Sequence, residues 1–181
     1  MAAASWPAPS WSDSSFSNRF DPFFDAYAGQ YLSDYDPRWL KAQCAAESGK
    51  QLDASALSPA GAGGVCQFMP GTWSDATRAL SMIGTSRFNP RANIKAAAWL
   101  MRRYTAIWTS HRPPLAKLDL GKASYNAGPG NILKAQRESG GALLWGDISP
   151  YLHKVTGEHS RETITYVKRI DIYYQQLAAG D

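Results

Sequence analysis

Histidine is scarce in this chain, and nucleotide-binding motifs are lacking. The three histidines, at positions 111, 153 and 159, show neither an HExxH pattern nor the Cys/His spacing of a zinc site. The glycines at positions 61, 63 and 64 are not followed by the lysine of a phosphate-binding loop. We therefore expect no metal ion and no cofactor.

Cysteine occurs only twice, which is too few for a disulfide scaffold. Cys44 and Cys66 each lie in an apolar or motif-rich stretch of the sequence. Free, buried thiols are the expected state of such residues. A Cys44–Cys66 disulfide is the alternative that the sequence leaves open.

Long apolar runs and concentrated positive charge are also absent. No stretch approaches the roughly 20 apolar residues of a membrane-spanning helix, and the first residues lack the basic and apolar regions of a secretion signal. The net charge of +4 is scattered rather than gathered into a stripe. This pattern argues against nucleic acid as a partner and suits loose attraction to an anionic polymer.

Proline, aspartate and glycine mark the ends of a series of helices. Asp36-Pro37 has the pattern of a helix start, and Gly49 is placed to end that helix. No alternating strand pattern, heptad array or repeat occurs. The sequence therefore predicts a mainly α fold with little or no sheet. The predicted helices begin at Asp21, Asp36, Pro70 and Asn89-Pro90, the last of these ending before Pro113, and three more cover Leu118–Tyr125, residues 131–137 and Ser160–Leu177.

Residues 1–20 differ in composition from the rest of the chain. They are rich in Ser, Pro, Ala and Trp and have no helical or strand period, which predicts a flexible segment. Trp6, Trp11 and Phe16 are the side chains of this segment that are able to pack on the rest of the protein. Residues 21–181 are long enough to form one domain with a core of its own.

Glu47 is the carboxylate in the most informative position. It is one of only four glutamates, and it stands where an apolar helix gives way to a Ser/Gly turn. Burial and the negative end of a helix both raise the pKa of a glutamate above its ordinary value of about 4.3. Cleavage of a glycosidic bond needs such a protonated carboxyl group. The alternative is a solvated glutamate at a helix end.

Three further blocks follow Glu47-Ser48 along the chain. Residues 58–72 read Ser-Pro-Ala-Gly-Ala-Gly-Gly-Val-Cys-Gln-Phe-Met-Pro-Gly-Thr, residues 124–129 read Ser-Tyr-Asn-Ala-Gly-Pro, and residues 162–167 read Glu-Thr-Ile-Thr-Tyr-Val. In this order, the blocks resemble those of the soluble lytic transglycosylase family. The resemblance covers about residues 21–177 and implies the helical, lysozyme-like fold that this family shares with goose-type lysozymes.

The resemblance implies a role for eight residues. Glu47 would be the single catalytic acid and base, in a catalytic domain formed by residues 21–181. Hydroxyl, amide and aromatic side chains near glycines suit the binding of a sugar. The alternatives assign these side chains to loop capping, core packing, helix capping and interaction with a helix dipole. The residues that would contact the saccharide are Ser58, Gln67, Met69, Tyr125, Asn126, Glu162 and Tyr166.

The chain departs from the family pattern at three points. Cys66 stands where a methionine is usual, and Ser124 stands where an alanine is usual. The interval between Glu47 and Ser58 is longer than is common. The first two changes are small substitutions, whereas the third affects how the loop approaches Glu47.

The reaction that the resemblance implies is cleavage of peptidoglycan between N-acetylmuramic acid and N-acetylglucosamine, with closure of a 1,6-anhydro ring. The alternatives are a hydrolytic, goose-type-like lysozyme and a non-catalytic cell-wall-binding or virion protein. We expect a monomer that acts on peptidoglycan glycan strands. Without a secretion signal, the chain is expected to be made in the cytoplasm and to reach the periplasmic wall by phage holin release or as a virion component, and export by a bacterial machine is the other route.

Overall fold

The structure is a computed structural model that describes residues 15–179. Within this range the chain is helical and has no extended sheet, and its β-type pairings are isolated bridges from Gly63 to Leu57 and to Phe68. The predicted mainly α fold is confirmed. None of the helices in the described range is long and apolar enough to cross a membrane. The helices are α1 (Asp21–Tyr31), α2 (Arg38–Ser48), α3 (Pro70–Ala79), α4 (Pro90–Ala106), α5 (Pro114–Ala127), α6 (Pro129–Glu138), α7 (Trp145–Ile148), α8 (His153–Thr156) and α9 (Ser160–Ala178).

The local signals for helix ends account for most of these bounds. Gly49 follows α2 with a left-handed φ of 87° and donates its N–H to the carbonyl of Ala45. One predicted start was wrong, because α5 begins at Pro114 and not at Leu118. Proline has no N–H to leave unpaired in a first helical turn, so Pro114 begins a helix there.

Residues 15–100 and 170–179 form one compact unit, which we call the Glu47 unit. Phe24 of α1 and Leu40 of α2 belong to its apolar core. The same unit contains a buried ion pair, in which Lys41 Nζ donates to Asp21 Oδ1 at 2.6 Å. Lys41 is fully buried in the interior of this unit.

The described part of the N-terminal segment packs against the Glu47 unit. Phe16 and Phe20 are buried, and the ring of Phe16 meets that of Tyr173 edge to face at 5.4 Å. The backbone N–H of Ser17 donates to the carbonyl of Lys50 at 2.9 Å. The packed part of the chain therefore begins before Asp21, and Trp6 and Trp11 lie outside the described residues.

Residues 101–169 form a second compact unit, which we call the Asn126 unit. Leu118 and Leu120 of α5 and Ile132 of α6 are buried in it. A Cβ atom on Gly121 would lie 3.0 Å from Thr105 Cγ2, so glycine permits the close approach of α5 to the end of α4. Whether residues 21–181 act as one catalytic domain stays a prediction.

Candidate active site

Glu47 lies in the last turn of α2, and its side chain is half-buried. The last turn of α2 contains no basic residue. The carbonyl groups at a helix C-terminus carry partial negative charge, which disfavours a further negative charge close by. This position suits a carboxyl group that must donate a proton.

A loop of residues 58–69, which we call the glycine loop, is tied to the last turns of α2. Ser48, the neighbour of Glu47, donates its hydroxyl to the carbonyl of Val65 at 2.7 Å. Cys44 and Cys66 form a disulfide, with their Cα atoms 4.4 Å apart. The expected free thiols were therefore wrong, because the glycine loop folds back onto α2 and brings Cys66 to Cys44, three residues before Glu47.

Asn93 of α4 fixes the glycine loop from the other side, and sequence reasoning missed this residue. Its side chain is fully buried, and its Oδ1 accepts the N–H of Cys66 at 2.8 Å. Its Nδ2 donates to the carbonyls of Arg87 at 2.7 Å and Gly63 at 3.3 Å. The signal that could have indicated Asn93 is an asparagine between the apolar residues Ala92 and Ile94, all three of which are buried. A buried amide side chain needs hydrogen-bond partners, so such a residue is expected to hold a neighbouring segment.

The structure brings Ser58, Gln67 and Met69 together on the glycine loop. The Ser58 hydroxyl oxygen accepts the N–H of Ala62 at 3.0 Å, which leaves its hydrogen for another acceptor. Gln67 Nε2 donates to the carbonyls of Ala56 at 3.1 Å and Gly64 at 2.9 Å. Both amide hydrogens of Gln67 therefore brace the loop, and its carboxamide oxygen is the group that can meet a ligand. The Met69 side chain is exposed.

A second cluster of polar side chains lies in the Asn126 unit, at the end of α5 and the start of α9. Asn126 Oδ1 accepts the hydroxyl of Thr163 at 2.7 Å, and Asn126 Nδ2 donates to Glu162 Oε1 at 3.3 Å. These side chains line a cavity of about 380 Å³ together with Asn131 and His159. The structure thus places Asn126 and Glu162 side by side at an open, polar cavity.

The two tyrosines predicted for the site differ in exposure. Tyr125 is half-buried, and its ring meets that of Tyr104 edge to face at 6.4 Å. Tyr166 is 4% exposed, so its ring is buried. Contact of either tyrosine with a saccharide stays a prediction.

Two thirds of the chain match the model of one protein family. The model of the family described as "Transglycosylase SLT domain" matches residues 24–145. The chain belongs to the transglycosylase SLT domain family. The chain is 26% identical to the membrane-bound lytic murein transglycosylase F of two Vibrio vulnificus strains, and the match covers 88% of this chain and 31% of that protein.

Solved structures share the fold of this SLT domain. The 70 kDa soluble lytic transglycosylase of Escherichia coli superposes with a TM-score of 0.69 at 22% identity, over 88% of this chain and 24% of that one. An inactive mutant of the lytic transglycosylase Slt of Pseudomonas aeruginosa superposes with a TM-score of 0.67 at 21% identity, over 89% of this chain and 24% of that one. The expected lysozyme-like helical fold is therefore confirmed. The chain spans about a third or less of the length of these relatives.

The disulfide of the SLT domain is expected to stabilise its fold. Replacing both Cys44 and Cys66 by alanine should lower the free energy of unfolding by about 3 kcal/mol, because the bridge lowers the conformational entropy of the unfolded chain. The sequence separation between the two cysteines is 22 residues. Urea unfolding of the variant and the parent, each with and without dithiothreitol, measures the effect. A parent protein as unstable as the variant under oxidising conditions would contradict the bridge.

Gly64 and Gly61 offer a matched test of how tightly the glycine loop is held. Both have a left-handed φ, but a Cβ atom on Gly64 would clash with the Arg87 carbonyl oxygen, whereas one on Gly61 would meet nothing within 4 Å. We expect Gly64→Ala to lower the free energy of unfolding by about 3 kcal/mol and Gly61→Ala by about 1 kcal/mol. Urea unfolding of both variants checks this, and equal losses would show that the loop moves away freely.

Proposed function

We propose that this SLT domain is a peptidoglycan lytic transglycosylase that uses Glu47 as its only general acid and base. The observation that carries the proposal is the position of Glu47 at the C-terminus of α2, beside a loop held by a disulfide and by Ser48. Membership of the SLT domain family and similarity to the membrane-bound lytic murein transglycosylase F of Vibrio vulnificus support it.

In the first step, the protonated carboxyl group of Glu47 donates its proton to the oxygen that links N-acetylmuramic acid to N-acetylglucosamine. The linking bond breaks, and its electron pair leaves with that oxygen. The N-acetyl group of the muramyl sugar stabilises the positive charge that develops at its first carbon. This assistance replaces a second carboxylate, which the family mechanism does not require.

In the second step, the Glu47 carboxylate accepts a proton from the C6 hydroxyl of the same muramyl sugar. The hydroxyl oxygen then bonds to the first carbon and closes the 1,6-anhydro ring, and Glu47 returns to its protonated form. The negative end of α2 and partial burial both favour that form.

Contacts to the glycan come from groups with free hydrogen-bonding capacity or open surface. In the Glu47 unit, these are the hydroxyl of Ser58, the carboxamide oxygen of Gln67 and the exposed side chain of Met69. In the Asn126 unit, Asn126 and Glu162 line the polar cavity, and the half-buried Tyr125 offers aromatic surface to a sugar ring.

Mass spectrometry of the fragments released from purified peptidoglycan tests the proposal. A lytic transglycosylase gives muramyl ends that are lighter by one water than those of a hydrolase. Hydrated ends throughout would favour the goose-type-like lysozyme, and no release of fragments would favour a wall-binding or virion protein. Delivery through a phage holin or within a virion stays a prediction that gene neighbourhood tests.

A further inference from the structure

The loop between α4 and α5 buries two side chains in an otherwise exposed segment. Trp108 is 2% exposed and Arg112 is 6% exposed, whereas the three residues between them are exposed. The guanidinium carbon of Arg112 lies over the Trp108 ring, 5.5 Å from its centroid. The loop therefore holds a buried cation against an aromatic face.

Three donor atoms of this pair have no acceptor in the part of the chain that the structure describes. Trp108 Nε1 and Arg112 Nε and Nη1 are all buried without a hydrogen-bond partner. Burial lowers the pKa of the Arg112 guanidinium, but arginine stays charged in proteins. A buried charge without a counter-charge is strongly unfavourable, and buried donors normally have acceptors.

The same loop leads into a helix start that carries no negative charge. Helix α5 begins at Pro114, two residues after Arg112, and has neither a side-chain cap nor an acidic residue in its first turn. A helix N-terminus carries partial positive charge, which adds to the positive potential of the guanidinium. The buried guanidinium and the start of α5 are therefore two positive features within two residues of each other in sequence, and the first turn of the helix supplies no anion to either.

We propose that Trp108, Arg112 and the N-terminus of α5 form a binding site for a carboxylate. A single negative charge neutralises the single buried guanidinium, whereas a dianion would leave an excess charge in the interior. A planar carboxylate also offers up to four acceptor positions for the guanidinium and indole hydrogens. Chloride would match the charge but not this directional arrangement.

The carboxylate site is separate from the proposed glycan contacts of the same unit. Helix α5 has 14 residues, so its start lies about 20 Å from Asn126 at its end. The site therefore does not depend on the proposed function. Its ligand stabilises the start of the helix whose other end carries Tyr125 and Asn126. The carboxylate can come from a free small acid or from a peptide C-terminus.

Thermal unfolding in sodium acetate, with sodium chloride replaced at constant ionic strength, tests the site. We expect the Tm of the parent protein to rise by about 3 °C as acetate saturates. Arg112→Met should abolish the rise and should be no less stable than the parent without acetate, because it removes an uncompensated charge. Arg137→Met, at an exposed arginine of α6, is the matched control and should keep the full rise.

The indole N–H resonance of Trp108 gives a second readout that does not depend on stability. It is assigned by its loss in Trp108→Phe and should shift with acetate in the parent but not in Arg112→Met. Acetyl-D-alanyl-D-alanine in place of acetate distinguishes the sources, because stronger binding of this peptide indicates a peptide C-terminus and weaker binding a free acid. No response of Tm and indole to either carboxylate, or an equal response in Arg112→Met, would overturn the proposal.

Discussion

Replacing Glu47 by glutamine is expected to lower the rate of fragment release from purified peptidoglycan about a thousandfold, the usual contribution of a positioned general acid. Glutamine keeps the size and the hydrogen-bonding shape of the side chain but has no proton to donate to a leaving oxygen. The fold should be unaffected, because Glu47 is half-buried at a helix end. Turbidity loss of a wall suspension measures the rate, and circular dichroism verifies the fold.

Glu158→Gln is the matched control for this experiment. The Glu158 side chain is 86% exposed and pairs with Arg161 on the surface of the Asn126 unit. Its replacement makes the same chemical change at a solvent-exposed carboxylate that has no role in the proposed mechanism, so the rate of release should stay within about twofold of the parent. A Glu47→Gln protein that released fragments as fast as this control would remove Glu47 from the mechanism.

Replacing Lys41 by methionine is expected to lower the free energy of unfolding by about 4 kcal/mol near neutral pH. The Lys41 ammonium group is fully buried and lies 2.6 Å from Asp21 Oδ1. Methionine fills similar space but leaves the Asp21 carboxylate without its cation in the interior. Lys154→Met is the control, because its ion pair with Glu138 is half-exposed at 3.7 Å and should contribute little.

The loss in Lys41→Met should also depend on pH. Burial raises the pKa of Asp21 above 3.8, and the hydrogen bond and charge of Lys41 act in the opposite direction. Without Lys41 the folded-state pKa rises further, so the native protein binds a proton that the unfolded chain releases. The stabilising effect of that proton is present at low pH and is lost as the pH rises through the folded-state pKa.

Urea unfolding at about pH 4.5 and about pH 8 measures this dependence. The difference in the free energy of unfolding between Lys41→Met and the parent should be larger at the higher pH. A difference that is the same at both values would show that Asp21 keeps its charge through another partner.

The helices were predictable because their signals are local. The start of α1 at Asp21 and the end of α2 before Gly49 follow from side-chain and backbone preferences of one or two residues. The short helices α7 and α8 were not predicted, because four-residue helices have too few residues to show a period.

The supports of the candidate site were less predictable, because they depend on contacts between residues far apart in sequence. Glu47 could be singled out from its place at a helix end and from its neighbouring motifs. The Cys44–Cys66 bridge and the role of Asn93 both depend on how the glycine loop folds back, which no local pattern specifies. Likewise, the hydrogen bonds from the Gln67 amide to Ala56 and Gly64 depend on how the loop folds, and contact of Gln67 with a sugar stays a prediction.

Digestion of purified peptidoglycan in heavy-oxygen water, with the parent and Glu47→Gln proteins side by side, tests the central claim most directly. Ring closure by the muramyl C6 hydroxyl takes no oxygen from the solvent, so the parent should release fragments that are anhydro-terminated and unlabelled, and Glu47→Gln should release almost none. Heavy oxygen at every new muramyl end, or undiminished release by Glu47→Gln, would contradict a mechanism in which this single glutamate first donates a proton and then takes one back.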